Sequence, residues 1–589
     1  MRTTTTCLLM VLTVVLTLML QGFQERGYGD PPPAEPRDRL MLAELMGSEY
    51  QSAAPLDNHY FMPMGTSNDA KHELEGTLTV SEFVMNNPNS DEEKDSADPW
   101  DYFPGFSLDF FTHGTYLVPV QRETIHAFGD QSYWQIIVSP GTVWSEPGDQ
   151  GMSRASFPFT LVNALFNDAH NGLATFTYDE ARLSSLFLQV TQETSPVYKT
   201  DFWGRTPMEY TPQKLENRNV LAARFAEEVR AQIPIRPFSE LSKFVNPALL
   251  EKYNSGIERE EISATGLFWK DTLYVQPCNT RYGDYPYVRY MRHAAYSLTK
   301  AMGGAIALLR LAETYGDGVF DLKVADYVTV TAAHDGWESV TFADALNHAT
   351  GVGDHMPEPV EPNVMQGDED QPKFMDFLRA KSMQEKMDVA FSYGNYPWGP
   401  GEIARYNSIN TFILSAAMDG FLKRKEGTDA DIWEMVLTEV YEPIGIFHAP
   451  IMRTIESDGS TGLPPFGYGL YPNVDDVAKL SILLRNGGRH QERQLLHAGR
   501  LAEALLRTDV IGLPTGESNE HGYLTYHLSF NSWPYPGEDG RLHRIPFSTG
   551  FGGNHWVLLP NGISTFRFCD ANRYGVDSMV DVAGAICPF

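Results

Sequence analysis

Near residue 200 the pattern of the chain changes, and that change limits its architecture more than any single motif. From about 46 to 200, strand-like runs ("GTLTVSEFV", "SYWQIIVS", "ATFTYDEARLSSLFLQVTQ") are separated by Gly/Pro/Asp turns such as "SEPGDQG". Beyond 200, helical spacing takes over. Residues 215–233 place Val220, Ala223, Phe225, Val229 and Ile233 near one side of a helix. A helix opening at Ser297 carries Met302, Ile306 and Leu309 on one stripe and stops at "ETYGDG". Further helices are predicted at 407–423, 474–485 and about 497–507. Residues 264–277 read as two short strands, and the chain closes with strand-like "HWVLLPNG" and "ISTFRFCDA". Strands at both ends of a helical middle predict an α/β sandwich with an inserted all-helical lobe. At 589 residues the chain exceeds one ordinary core, and 42% hydrophobic and 12% aromatic residues are enough to fill more than one.

The balance of 45 basic against 76 acidic residues, a net charge of −31, excludes a nucleic-acid phosphate partner, and no Lys/Arg cluster offsets it. At the N-terminus, "CLLMVLTVVLTLML" (7–20) is short for a membrane span and suits the apolar core of a signal peptide. The expected location is therefore outside the cytoplasm, periplasmic or secreted. A membrane association follows only if this segment stays uncleaved, because "QGFQ" is a poor cleavage site. Residues 23–45, with "DPPPAEPRD", read as a polar linker, "NSDEEKDSADP" (89–99) as a solvated loop, and the acidic, Pro-containing insertion at 356–374 as either a cleft rim or a solvated loop. Outside the leader stand Cys278, Cys569 and Cys587, which permit one disulfide and leave its pairing open. No Cys/His cluster has zinc-ligand spacing, and His170 and His348 read as turn or packing residues.

Three stretches carry candidate chemistry. In "YSLTKAMGG" (296–304), Ser297 and Lys300 stand at i and i+3 on one helix face, close enough to exchange a proton. The helix N-terminus favours negative charge at the serine oxygen, and a desolvated lysine there helps to accept the serine proton. By itself the string reads more readily as a helix cap than as a nucleophile. In "PGEIARYNSINTFIL", Tyr406 precedes an apolar helix, with Ser408 and Asn410 within one turn. A phenol beside an ammonium is stabilised as phenolate and relays a proton. In "RIPFSTGFGGNHWVLLPNG", Ser548-Thr549-Gly550 leads into Phe551 and a strand. Glycine there lets a substrate lie along the strand edge, and the Phe551 amide is the next free donor for an oxyanion.

In this order, Ser297-Leu298-Thr299-Lys300, Tyr406-Asn407-Ser408 and Ser548-Thr549-Gly550 resemble the S-x-x-K, Y-x-N and K/H-T-G elements of the serine β-lactamase and penicillin-binding-protein superfamily. That superfamily includes class C β-lactamases, family VIII esterases and D-peptidases. "LNHATGVGDH" (346–355), "VYEPIGI" (440–446) and "GYGLYPNVDDVAKLSILLRNGG" (467–488) resemble its connecting text, so the likeness covers about 260–589. It implies an antiparallel sheet flanked by helices plus an all-helical lobe, within a hydrolase domain spanning 201–589. The other expected divisions are a signal peptide (1–22), a linker (23–45) and a β-rich accessory region (46–200) of unassigned role.

The resemblance implies Ser297 as nucleophile, Lys300 and Tyr406 as its proton acceptors, and the amides of Ser297 and Phe551 as oxyanion donors. Ser408, Ser548, Thr549 and Gly550 would line the substrate. It requires no metal or organic cofactor, and its partner is a small-molecule or peptide substrate. The sequence sets no oligomeric state. Two departures narrow the reading. The usual Asn is Ser408, with Asn410 displaced by two, and the usual cation is Ser548. Arg405 and His555 read as structural, not as replacements for that cation. Without it, a carboxylate-bearing lactam loses its anchor. The expected order is esterase, then peptidase or amidase on D-amino-acid-containing or cyclic-derived peptides, then β-lactamase. A non-catalytic sensor of the same fold is the competing class.

Overall fold

The computed structural model describes residues 37–589 apart from 48–53, 66, 89–96, 128, 355–364 and 366–371. The expected signal segment, most of the 89–99 loop and most of the acidic insertion at 356–374 lie outside the described residues.

Two large sheets organise the chain. The first holds ten antiparallel strands between Glu75 and Pro212. Three of them, β1 (Ser153–Val162), β2 (Ala169–Tyr178) and β3 (Leu186–Thr194), are buried at every position. The reason is that each alternates between two covered faces. Ala155, Phe157, Phe159 and Leu161 point into the accessory region's own aromatic core. On the other face, polar side chains meet the rest of the protein. The Nδ2 of Asn171 donates to Arg292 O (2.8 Å) and the Nε2 of Gln192 to Ile262 O (3.2 Å), while Thr194 and Ser263 share a hydroxyl contact of 2.9 Å. The accessory region is thus joined to the remainder by paired polar groups, which burial requires.

The second sheet has nine strands, antiparallel except for the short pair Ile235–Pro237 with Thr272–Val275. Its central strands include β4 (Ile262–Trp269), β6 (Leu542–Gly550), β7 (Asn554–Leu558) and β8 (Ser564–Cys569), with β5 (Leu513–Asn519) at one edge. One face packs Leu267, Ile545, Phe547 and Val557 against the C-terminal helix Asp577–Ile586. The opposite face, with Phe268, Trp556 and Phe566, meets the helical lobe. This lobe contains α1 (Ile306–Tyr315), α2 (Ser408–Glu426) and α3 (Val474–Arg485). The expected α/β sandwich with an inserted helical lobe is what the chain forms.

Several local expectations differ from the structure. Residues 37–45, placed in the linker, are docked: Leu40, Leu42 and Leu45 are buried, and Arg37 pairs with Glu146 at 2.9 Å. Polar composition hid three leucines spaced to cover one side. In the helix Arg218–Arg230, only Phe225 of the expected stripe is buried, against Phe111 and Val118, while Val220 faces solvent. Residues five apart on a helix point about 140° from each other, so both cannot face one neighbour. His170 lies inside β2, buried against Tyr198 and Trp134, and is a packing residue but not a turn. The three cysteines are free thiols, so the disulfide that their number permitted is not formed.

Candidate active site

The segment bearing Ser297 enters the core as an irregular turn. Tyr296, immediately before it, has φ +46°, in the left-handed region that bulky residues avoid. From Lys300 to Ala305 the backbone makes a π-helical turn before α1 begins. Met302, Ile306 and Leu309 are buried as their spacing predicts. The resulting bend carries Ser297 to the floor of a cleft of ≈ 490 Å³.

Lys300 is 1% exposed, and its ammonium donates to Ser297 Oγ (2.9 Å), Ser408 Oγ (2.8 Å) and the carbonyl of Gly467 (2.8 Å). Tyr406 arrives just ahead of α2 and donates its hydroxyl to Ser297 Oγ at 2.6 Å. Its ring centroid lies 4.6 Å from Lys300 Nζ. Asn407 caps the helix by accepting from the Ile409 amide (3.0 Å), which fixes the turn that aims Tyr406 inward. His348 buttresses the same ring at 4.5 Å. Burial, with the Lys300 charge adding to it, holds the His348 imidazole well below its usual pKa, so it packs as a neutral ring.

The third element closes the site from β6. Gly550 lies so near the nucleophile that a Cβ there would stand 2.5 Å from Ala295 O and 3.4 Å from Ser297 N. The chain then turns, with the Gly553 amide on Gly550 O (3.1 Å), and Phe551 packs edge-on against Tyr296. Among the described residues, no backbone acceptor takes the Ser297 or the Phe551 amide. Ser548 and Thr549 line the cleft. Thus Ser297, Lys300, Tyr406, Ser408, Ser548, Thr549, Gly550 and Phe551 gather at one place.

Asn410 does not join them. Two residues along α2 it is turned away, and its Oδ1 accepts from Thr350 Oγ1 (3.3 Å). Arg405 sits over the Trp398 ring, and His555 is buried on the neighbouring strand beside Arg573 O, so neither occupies the place of the absent cation.

Sequence reasoning missed four contributors. Gly467 supplies a carbonyl to Lys300, and a Cβ there would stand 2.8 Å from Ser408 Cβ, so glycine alone permits the approach. Met365, inside the acidic insertion, bridges the cleft walls: its carbonyl accepts the Tyr406 amide and its amide donates to Thr515 O, each at 2.8 Å. Glu517 and Tyr526 add a carboxylate and a phenol to the rim. Gly467 carried a signal through the "GYGLYP" stretch, and Met365 through the 356–374 insertion, which reads as a cleft rim or a solvated loop. Among the described residues, no group of three or more His, Cys, Asp or Glu side chains is placed to hold a metal ion.

No protein-family model matches the chain, and no curated protein does. Solved structures that it resembles include a penicillin-binding-protein homolog from Caulobacter crescentus, with 15% identity, TM-score 0.40, and coverage of 62% of this chain and 97% of that one. A D-stereospecific amidohydrolase from Streptomyces sp. gives 14% identity and TM-score 0.40, covering 58% and 98%. A family VIII carboxylesterase gives 16% and 0.38, covering 62% and 97%. At these values the chemistry rests on the site itself. Three sequence elements spread over more than 250 residues meet around Ser297.

Proposed function

We propose that the protein is a serine hydrolase that works through an acyl-enzyme on Ser297, with carboxylic esters as its preferred substrates. The observation that carries this reading is the pair of hydrogen bonds on Ser297 Oγ, from Lys300 and from Tyr406, at the floor of an open cleft. With Tyr406 as the phenolate that the Lys300 ammonium stabilises, Ser297 Oγ attacks the ester carbonyl while its proton passes to the Tyr406 oxygen. The amides of Ser297 and Phe551 receive the developing oxyanion, each such donor being worth about 3 kcal/mol. Tyr406 then protonates the departing alkoxide, and the acyl group stays on Ser297. Water enters, gives its proton to the same pair, and attacks the acyl carbon. Carboxylic acid leaves and Ser297 recovers its proton.

The preference for esters follows from the charges lining the cleft. Lys300 is committed to three oxygen acceptors, Ser548 stands where a second cation would anchor a substrate carboxylate, and Glu517 adds negative charge. Neutral acyl groups are favoured over anionic ones. A fluorophosphonate should label wild-type protein at Ser297, and Ser297→Ala should abolish turnover of p-nitrophenyl butyrate. Labelling elsewhere, or an active Ser297→Ala variant, would overturn the reading. Labelling without turnover across esters, D- and L-peptides and a cephalosporin would mark a sensor instead. The apolar leader supports export, which recovery of the protein outside the cytoplasm would test.

A further inference from the structure

The accessory region reaches the residue before the nucleophile. Asn167 and Asp168 stand at the entry to β2, 1% and 0% exposed, and both grip Tyr296. Asn167 Oδ1 accepts the Tyr296 amide at 2.7 Å, and Asp168 Oδ1 accepts the Tyr296 hydroxyl at 2.5 Å. One residue is therefore clamped at its backbone and at the end of its ring, where its φ of +46° needs external support. The same Asn167 Oδ1 also accepts the Gly469 amide at 2.8 Å. Gly469 lies two residues from Gly467, whose carbonyl holds Lys300 Nζ.

We propose that Asn167 is a positioning residue for Ser297, so that the accessory sheet is part of the catalytic apparatus and not a cover for it. The proposal rests on the reading of Ser297 as nucleophile. A single oxygen fixes the strained backbone before the nucleophile and the segment that holds its lysine. It thereby sets the distance between Ser297 Oγ and Lys300 Nζ. A methyl group at 167 would leave two buried amides unpaired and let the two segments move independently. Attack geometry is sensitive to displacements of this size.

Asn171 provides a matched control. From the same strand it accepts the Arg292 amide (3.3 Å) and donates to Arg292 O (2.8 Å), pinning the same segment four residues upstream of Tyr296. Full-length Asn167→Ala, the milder Asn167→Ser, and Asn171→Ala are compared for p-nitrophenyl butyrate kinetics, Ser297 labelling rate and urea midpoint. Both 167 variants should lose about 10- to 100-fold in kcat and labelling rate with KM changed less than about two-fold. Asn171→Ala should keep kcat within about three-fold even where its midpoint falls as far. Equal kcat losses at 167 and 171, or wild-type kcat in either folded 167 variant, would overturn the proposal while leaving Ser297 as nucleophile. Wild-type protein that a fluorophosphonate does not label at Ser297 would instead remove the nucleophile reading, and the proposal with it.

Discussion

Ser297 depends on neighbours that tolerate almost no change in size, and Gly550 is the tightest of them. A methyl group there meets the Ala295 carbonyl at 2.5 Å, and backbone on both sides leaves no flexible group to yield. Gly550→Ala should cost about 1–3 kcal/mol in stability, as over-packing does. It should also lower kcat at least about ten-fold by displacing the Ser297 amide. Urea unfolding and p-nitrophenyl butyrate kinetics check both, and unchanged kcat would remove Gly550 from the site. Ser548 invites the opposite experiment. It lines the cleft at 2% exposure and brings no charge. Ser548→Lys should raise kcat/KM for an ester with a carboxylate on its acyl chain, relative to a neutral ester, by about ten-fold. The ratio should shrink as salt is added. A ratio that does not move would mean that residue 548 lies off the path of the acyl group.

At the scale of elements, the acidic insertion enters the site through one residue. Met365 ties Tyr406 to β5 through its backbone, while its side chain packs with Ala404 and Tyr526 at the cleft wall. Met365→Ala should leave the backbone bridge and open the wall. In a series of p-nitrophenyl esters, kcat/KM for hexanoate should rise about five-fold relative to acetate, the scale expected for room gained in an apolar pocket. An unchanged chain-length profile would place the acyl group elsewhere. Met365 also shows where sequence reading stops. Ser297 with Lys300, and Tyr406 with its helix, are local patterns, and the helices around them keep their apolar period: Val474–Arg485 falls where it was expected. The strands between 513 and 536 escaped notice, because Gly and Pro interrupt them and a bulge between Pro514 and Ser518 breaks their alternation. The π-helical turn at Lys300–Ala305 leaves the apolar stripe intact, so nothing in the period announces it. Asn167 and Met365 gain their roles from tertiary contacts across long stretches of chain, which no local spacing encodes.

At the scale of the whole molecule, two titrating groups report on how the accessory sheet is held, and they act with opposite sign. His170 is buried in β2, its Nδ1 2.8 Å from Thr200 Oγ1, and burial pushes its pKa down to about 3. The unfolded chain, with His near 6.5, binds the proton first as pH falls, so the stability present above pH 6.5 is lost on acidification. Between pH 7 and pH 5 this amounts to about 2 kcal/mol. Asp570 lies on the other side of the junction, paired with Lys199 of the accessory region, which also lies 3.3 Å from Glu193. Burial raises its pKa to about 6. Here the folded state takes the proton first, so its contribution grows as pH falls through 6, by about 1 kcal/mol over the same interval. Urea midpoints at pH 7 and pH 5 separate the two. His170→Gln should lose less stability on acidification than wild type, and Asp570→Asn should lose more. Slopes that match wild type in both variants would mean that both groups titrate in the folded protein as they do in the unfolded chain. Slopes displaced in opposite directions would show that acid penalises the buried imidazole inside the accessory sheet and relieves the buried carboxylate that faces it across the junction.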